Sequence, residues 1–259
     1  MGYRILVVQK HLNQMNPNLQ HTNERLFSPP LAGVGGGISA VESLRNIVIN
    51  GKTIEIIAIP DHHPLMEKAF RLWYAVYIQE LQYPLTDGVD HTNKTLSLPS
   101  NGSIVFMAMD GEECVGTIIT TCDQVAPPEF EYHKYLGNER NTELTKLIVA
   151  KRLRKTSLLL QIFLSAYAFH EKNFSNYPYD NIVFNTNKKM LNYYRVIGHQ
   201  LVTNEIVIHP KIKNEGYLMY CTRQHFGKVC NELNQIIAGN HLIKAKWAIK
   251  YWWYKTLNK

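Results

Sequence analysis

The chain has 259 residues, 45% of them hydrophobic and 19% charged, which gives it the length and apolar content to bury a core and excludes a disordered tail protein. Its 28 Lys and Arg against 21 Asp and Glu give a formal charge of +7, which points to an acidic partner: nucleic acid, an anionic membrane, a phosphate-bearing cofactor or an acidic carrier protein. Four scattered cysteines, Cys114, Cys122, Cys221 and Cys230, exclude a disulfide framework and read as reduced, buried thiols.

No apolar segment with a cleavage site follows Met1, and the longest apolar stretch, 158–169, is broken by Gln161 and Ser165. The sequence therefore predicts a cytoplasmic protein without a transmembrane helix. Residues 1–53 read as an extension or linker, with Pro29-Pro30 running into glycines at 33 and 35–37; no Gly-Lys-Ser/Thr follows to make a phosphate loop. A folded domain is expected over 54–223 and a basic, aromatic helical extension over 224–259.

In chain order, 53–59 alternates as a strand ended by Pro60, and 65–81 carries apolar residues at helical spacing. Ser103 to Met109 and Glu113 to Cys122 read as a hairpin turned by Asp110-Gly111. Strand 143–150 follows a loop containing Pro127-Pro128, then helix 155–171, strand 181–186, helix 188–197 stopped by Gly198, and strands 200–208 and 217–222. Helices are expected at 227–238 and 241–257; residues 241–259 hold five lysines, three tryptophans, two tyrosines and no acid. The pattern predicts an α/β (α+β) class, a mixed sheet with helices on both faces.

Tyr193, Tyr194, Gly198 and His199 in the late helix, together with this element order, resemble the GNAT acyltransferase superfamily. Within it, 54–223 resembles the branch holding N-acyl amino acid synthases and acyl-homoserine-lactone synthases. Val76-Tyr77 with Glu80 and Tyr83 is similar to that branch's first helix, Asp87 and Asp90 to its acidic loop pair, and Glu143 with Lys146 to its Glu-x-x-basic strand. Trp73, Ile119 and Lys146 stand where homoserine-lactone synthases have arginines. Lysine does not reproduce an arginine fork, so the departures argue against an S-adenosylmethionine acceptor and for another amine.

The resemblance implies a splayed central sheet and an acyl-phosphopantetheine donor, carried by acyl carrier protein or CoA. It implies Glu143 as the base that deprotonates the amine, although a salt bridge to Lys146 would equally explain that residue. Asp87 and Asp90 would orient the acceptor, or else form an Asx turn with Gly88. Arg71, Tyr77, Glu80 and Lys146 are the remaining acceptor-side candidates.

The donor is expected at the Val149 N–H, as oxyanion donor, and at Arg152, Arg154, Lys155, Thr156 and Ser157 before a helix N-terminus. The same cations would read as a solvated face if no donor binds there. Tyr194, in competition with Tyr193, would protonate the departing thiolate, or simply pack on the sheet. A cysteine nucleophile is unnecessary for direct attack, and the eleven histidines show no metal-ligand spacing, so no metal is expected. Helix 158–169 either lines an acyl tunnel or fills the core.

The expected activity is N-acyl transfer of a fatty acyl group to an amino acid. Acylation of a lysine or ornithine side chain in a ribosomally made peptide is the alternative within this chemistry. A basic nucleic-acid module, for which no motif is present, and an inactive GNAT scaffold are the alternatives outside it. Segment 241–257 is expected to pack on the sheet, to touch a membrane peripherally, or to dock an acidic carrier.

Overall fold

A computed structural model describes residues 40–257 apart from 86, 99–101 and 211–213, with side chains to Ile249. The Pro- and Gly-rich run at 29–37 lies outside the described residues.

The main sheet has the order β1-β2-β5-β6-β7-β8-β11-β10, with β9 also paired to β11. Its strands are β1 (Glu42–Ile49), β2 (Lys52–Pro60), β5 (Ile104–Asp110), β6 (Glu113–Cys122), β7 (Asn141–Val149), β8 (Asn181–Thr186), β9 (Gln200–Leu201), β10 (Val207–Ile208) and β11 (Glu215–Thr222). A separate small ribbon pairs β3 (Val89–Asp90) with β4 (Thr95–Leu96). All pairings are antiparallel except β7 with β8, giving the expected mixed sheet.

The sheet is buried on both faces because apolar residues occupy both phases of its period-two strands. On one face Ile57, Ile59, Val105, Met107 and Ile148 pack under α1 (Met66–Trp73). On the other, Ile56, Ala58, Phe106 and Ile118 pack on α3 (Leu158–Lys172). Gly116 lets α3 approach so closely: a Cβ there would lie 2.5 Å from Ile162 Cδ1. The remaining helices are α2 (His133–Leu136), α4 (Lys188–Val196), α5 (Arg223–Ile237) and α6 (His241–Leu257).

Besides the β3–β4 ribbon and the short helix α2, neither of which the sequence announces, further elements differ from the sequence expectation. Segment 42–49, within the expected extension, is strand β1, joined to β2 by Asn50 and Gly51, both at positive φ as a tight hairpin turn requires. The helix from 65 becomes π-helical at Tyr74–Glu80, where Leu81 N–H reaches back to Val76 O. The single strand expected over 200–208 is two short strands, because the chain bends at Thr203, whose hydroxyl accepts from Glu205 N–H.

Candidate active site

The site is built around an irregularity in β7. Thr117 faces Ile148 while Ile119 faces Thr145, so β7 carries one residue more than β6 across the same span. Lys146 lies at this bulge with φ +50°, a left-handed conformation that a non-glycine residue adopts at a cost of about 1 kcal/mol or more. Beyond it β7 and β8 part, since their parallel register runs only from Asn141/Asn181 to Leu144/Phe184. That is the expected splay.

The bulge is braced from α1. Trp73, wholly buried, donates from Nε1 to Thr117 Oγ1 at 3.0 Å, and that hydroxyl donates to the Lys146 carbonyl at 3.0 Å. Both buried polar groups are thereby satisfied, which holds the irregular backbone in one geometry. On the same strand Ala150 N–H bonds to Val115 O. By the alternation of an antiparallel ladder, the Val149 N–H points away from β6, into the side from which β8 has diverged.

Beside the bulge lies a dry charged cluster. Glu143 has no exposure and accepts the backbone N–H groups of Glu129 at 2.7 Å and Phe130 at 3.1 Å. Burial, reinforced by the nearby Glu129 charge, pushes its carboxyl up to about 8 despite those two bonds. Lys146 forms its ion pair with Glu129, and not with Glu143 as the sequence alternative held; the two side chains are 2% and 6% exposed. His209 Nε2 stands 3.3 Å from Glu129, and the Lys146 ammonium lies 5.7 Å from the centre of the Trp73 ring. Tyr77, stacked on Tyr83, is kept neutral first by burial and then by the Glu129 charge. Glu129 and His209 were not legible as site residues. The only hint was Pro127-Pro128, which stiffens the loop that delivers Glu129.

The other acceptor-side residues lie elsewhere. Arg71 pairs with Glu67 one turn away, and both line a groove of about 910 Å³ with Lys68, Glu80, Cys114 and Lys151. Asp90 accepts from Thr92 N–H, Asn93 N–H and Asn93 Nδ2, bonds that hold its carboxyl below the usual range and form the Asx turn considered for this loop, on Asn93 in place of Gly88. Asp87 is exposed in the same loop.

On the donor side, a 3₁₀ turn over Lys151–Leu153 precedes α3, which starts at Leu158, where the apolar run begins, three residues later than the expected 155. Thr156 Oγ1 closes the loop by donating to Leu153 O and accepting from Leu158 N–H, while Ser157 stands at the N-cap position of α3 without a side-chain cap bond. Arg154 donates Nε to Val149 O at 2.9 Å and forks onto Glu80, while Arg152 pairs with Asp110 and Glu113. Lys155 is exposed. Tyr194 packs on Phe184, at the last paired residue of β8, and on His199; burial pushes its phenol up to about 12. Burial also pushes the thiols of Cys114 and Cys122 to about 12 and about 11, where neither is a thiolate at neutral pH.

The profile of the family described as N-acyl amino acid synthase FeeM matches residues 68–222, more than half the chain and all of the bulge, cluster and loop above. The chain belongs to this FeeM family. It is accordingly an N-acyltransferase, which moves an acyl group to an amine. The structure of FeeM from uncultured soil microbes has 15% identity to this FeeM-family chain, covering 66% of it and 92% of FeeM, with a TM-score of 0.48. BjaI, a CoA-dependent acyl-homoserine lactone synthase, gives 13%, 68%, 88% and 0.49, and an uncharacterized Bacillus halodurans protein 13%, 75%, 98% and 0.49. No curated protein matches the chain in sequence.

Proposed function

We propose that this FeeM-family chain moves a fatty acyl group from an acyl carrier protein thioester, or from CoA, to the amine of a free amino acid by direct attack in a ternary complex. The observation that carries this reading is the buried Glu129–Lys146 pair beside Glu143. A free amino acid is a zwitterion: its carboxylate meets Lys146 and its ammonium meets Glu129, so the acceptor replaces one buried ion pair by two complementary ones. Trp73 and Tyr77 supply the apolar walls that keep those charges out of water.

Glu143 takes a proton from the ammonium, and its raised pKa makes it a base matched to an amine of pKa roughly 8–10. The neutral amine attacks the thioester carbon, whose oxygen leans on the Val149 N–H. The C–N bond forms and the C–S bond breaks; Glu143 releases its first proton to solvent before it takes the amine's second, and that second proton restores the Tyr194 phenol once the tyrosine has given its own proton to the thiolate. Tyr194, held neutral by burial, protonates the departing thiolate. Asp87 and Asp90 shape the loop bordering the acceptor.

For the donor, Lys151 and Lys155 face the phosphopantetheine phosphate at the start of α3, with Thr156 ordering the loop, Ser157 exposed beside it, and Arg152 and Arg154 fixing it through their acidic partners. Charge on this loop favours a carrier protein over CoA. The test is incubation with acyl carrier proteins and acyl-CoAs of several chain lengths against a mixture of amino acids, read by mass spectrometry. An N-acyl amino acid is the expected product; acyl transfer only to peptide lysines, or none with any pair, overturns the reading. Charge reversal at Lys155 together with Arg154 is expected to weaken carrier-protein binding most at low salt.

A further inference from the structure

The C-terminal helix α6 carries two apolar lines, of which the fold uses one. Ile243 and Trp247, one turn apart, are the half-buried positions; Trp247 joins the cluster of Leu233 and Ile237, its Nε1 donates to Glu232, and Lys246 bonds the same carboxylate at 2.9 Å. The other line runs through Leu242, Ala245 and Ile249 at i, i+3 and i+7. Leu242 is 84% exposed and Ile249 57% exposed.

Single exposed aliphatic residues are ordinary, but two aligned on one side of a helix that carries no acid are not. At 100° per residue, Lys246 falls about 40° from Leu242 and about 60° from Ile249, on the flank of the line, and there is no acid between 241 and 259. Helix α4, which packs on α6, adds exposed Lys188, Lys189 and Arg195 and an exposed Met190.

We propose that this face of α6 lies on an anionic lipid surface, with Leu242 and Ile249 entering the headgroup boundary, Lys246 snorkelling beside them and the exposed cations of α4 adding to the attraction. Among the described residues no helix is long and apolar enough to cross a membrane, so α6 lies on the bilayer and does not span it. A second copy of the chain is disfavoured as the occupant because each copy carries the same formal +7. An acidic protein would use the lysines and leave the Leu242–Ile249 line without a role. The inference does not depend on which amine or donor the enzyme uses.

The test is flotation of the full chain with vesicles of phosphatidylcholine alone and of phosphatidylcholine with phosphatidylglycerol, at low and raised salt. Partition onto the anionic vesicles only, weakened by salt, is expected. Leu242→Ala with Ile249→Ala should lower that partition roughly tenfold or more, and Lys188→Gln with Lys189→Gln roughly fivefold or more. Both variants change exposed positions outside the site, and their acyl transfer with soluble donors should match the parent. The proposal is overturned by absent partition, by equal partition onto neutral vesicles, or by variants that lose carrier-protein binding or self-association while vesicle binding is unchanged.

Discussion

Charge is used in opposite ways on the two sides of the bulge at Lys146. Before it, Glu143, Glu129, Lys146 and His209 meet in a space nearly closed to water; after it, Arg152 and Arg154 pair with Asp110, Glu113 and Glu80 while remaining 43% and 37% exposed. Coulomb energies that are screened to roughly 1 kcal/mol or less at the surface become several-fold larger in the interior. The dense cluster of cations that attracts attention in the sequence is therefore the region where each charge matters least. The isolated lysine within a strand is where most is at stake.

The sharpest way to break this contrast is Glu129→Gln, which leaves the Lys146 ammonium buried without its counter-charge. We expect a loss of about 3–5 kcal/mol in urea unfolding together with loss of acyl transfer. The double change Glu129→Gln with Lys146→Met should regain most of the stability and none of the activity. A cost below about 1 kcal/mol for Glu129→Gln would mean that the cluster behaves like a surface pair.

Glu143→Gln keeps the shape of the side chain but turns an NH₂ towards one of the two backbone N–H groups it serves. Turnover should fall by roughly 10²–10⁴ with donor binding little changed. In the parent enzyme kcat/KM should rise with pH and level off above about 8, as Glu143 ionises. Stability should show the reverse sign from this group. Its folded pKa exceeds its unfolded one, so the folded state holds the proton more tightly, and stability falls as pH rises from about 4.5 to about 8. The buried neutral histidines His170 and His199, both depressed to about 4, act the other way: their contribution is full above about 6.5 and is lost as pH falls towards 4. Glu143→Gln should flatten the alkaline slope and leave the acid one.

Much of the architecture was legible because the central strands alternate cleanly and α3, α4 and α5 carry helical periodicity with stops at Gly198 and Gly239. Strand β1 was not: it is an edge strand whose core-facing Leu44, Ile47 and Ile49 fall out of strict alternation across a register shift at Ser43–Arg45, although Asn50-Gly51 is a hairpin signal. The π-helical turns after Trp73 escaped because the apolar spacing continues while the hydrogen bonds lengthen by one residue. Within the site, Glu143 and Lys146 were visible as a spaced pair, but their partners were not. Glu129 reaches Lys146 across 17 residues through a loop whose path depends on Glu143 holding its N–H groups. Such a partnership is made by tertiary structure and leaves no local pattern.

The Val149 N–H provides a test that separates backbone from side-chain chemistry. Because it points away from β6, Val149→Pro removes no bond of the β6–β7 ladder, and the extended conformation suits the residue before a proline. A folded variant with turnover reduced by about 10² is expected, as for loss of one oxyanion donor. Equal loss in stability and turnover would instead place that N–H in the sheet.

The smallest expected effect lies in the exposed loop. Arg154→Gln breaks the fork onto Glu80 and the bond to Val149 O, yet both charged partners are open to solvent, so stability should fall by less than about 1 kcal/mol and the loss should shrink as salt rises. Its kinetic signature should be a higher KM for the thioester with kcat nearly unchanged, because the Arg positions the loop and touches no reacting atom. A loss as large as that of Glu129→Gln, insensitive to salt, would extend the dry region across the bulge and remove the distinction between the two sides.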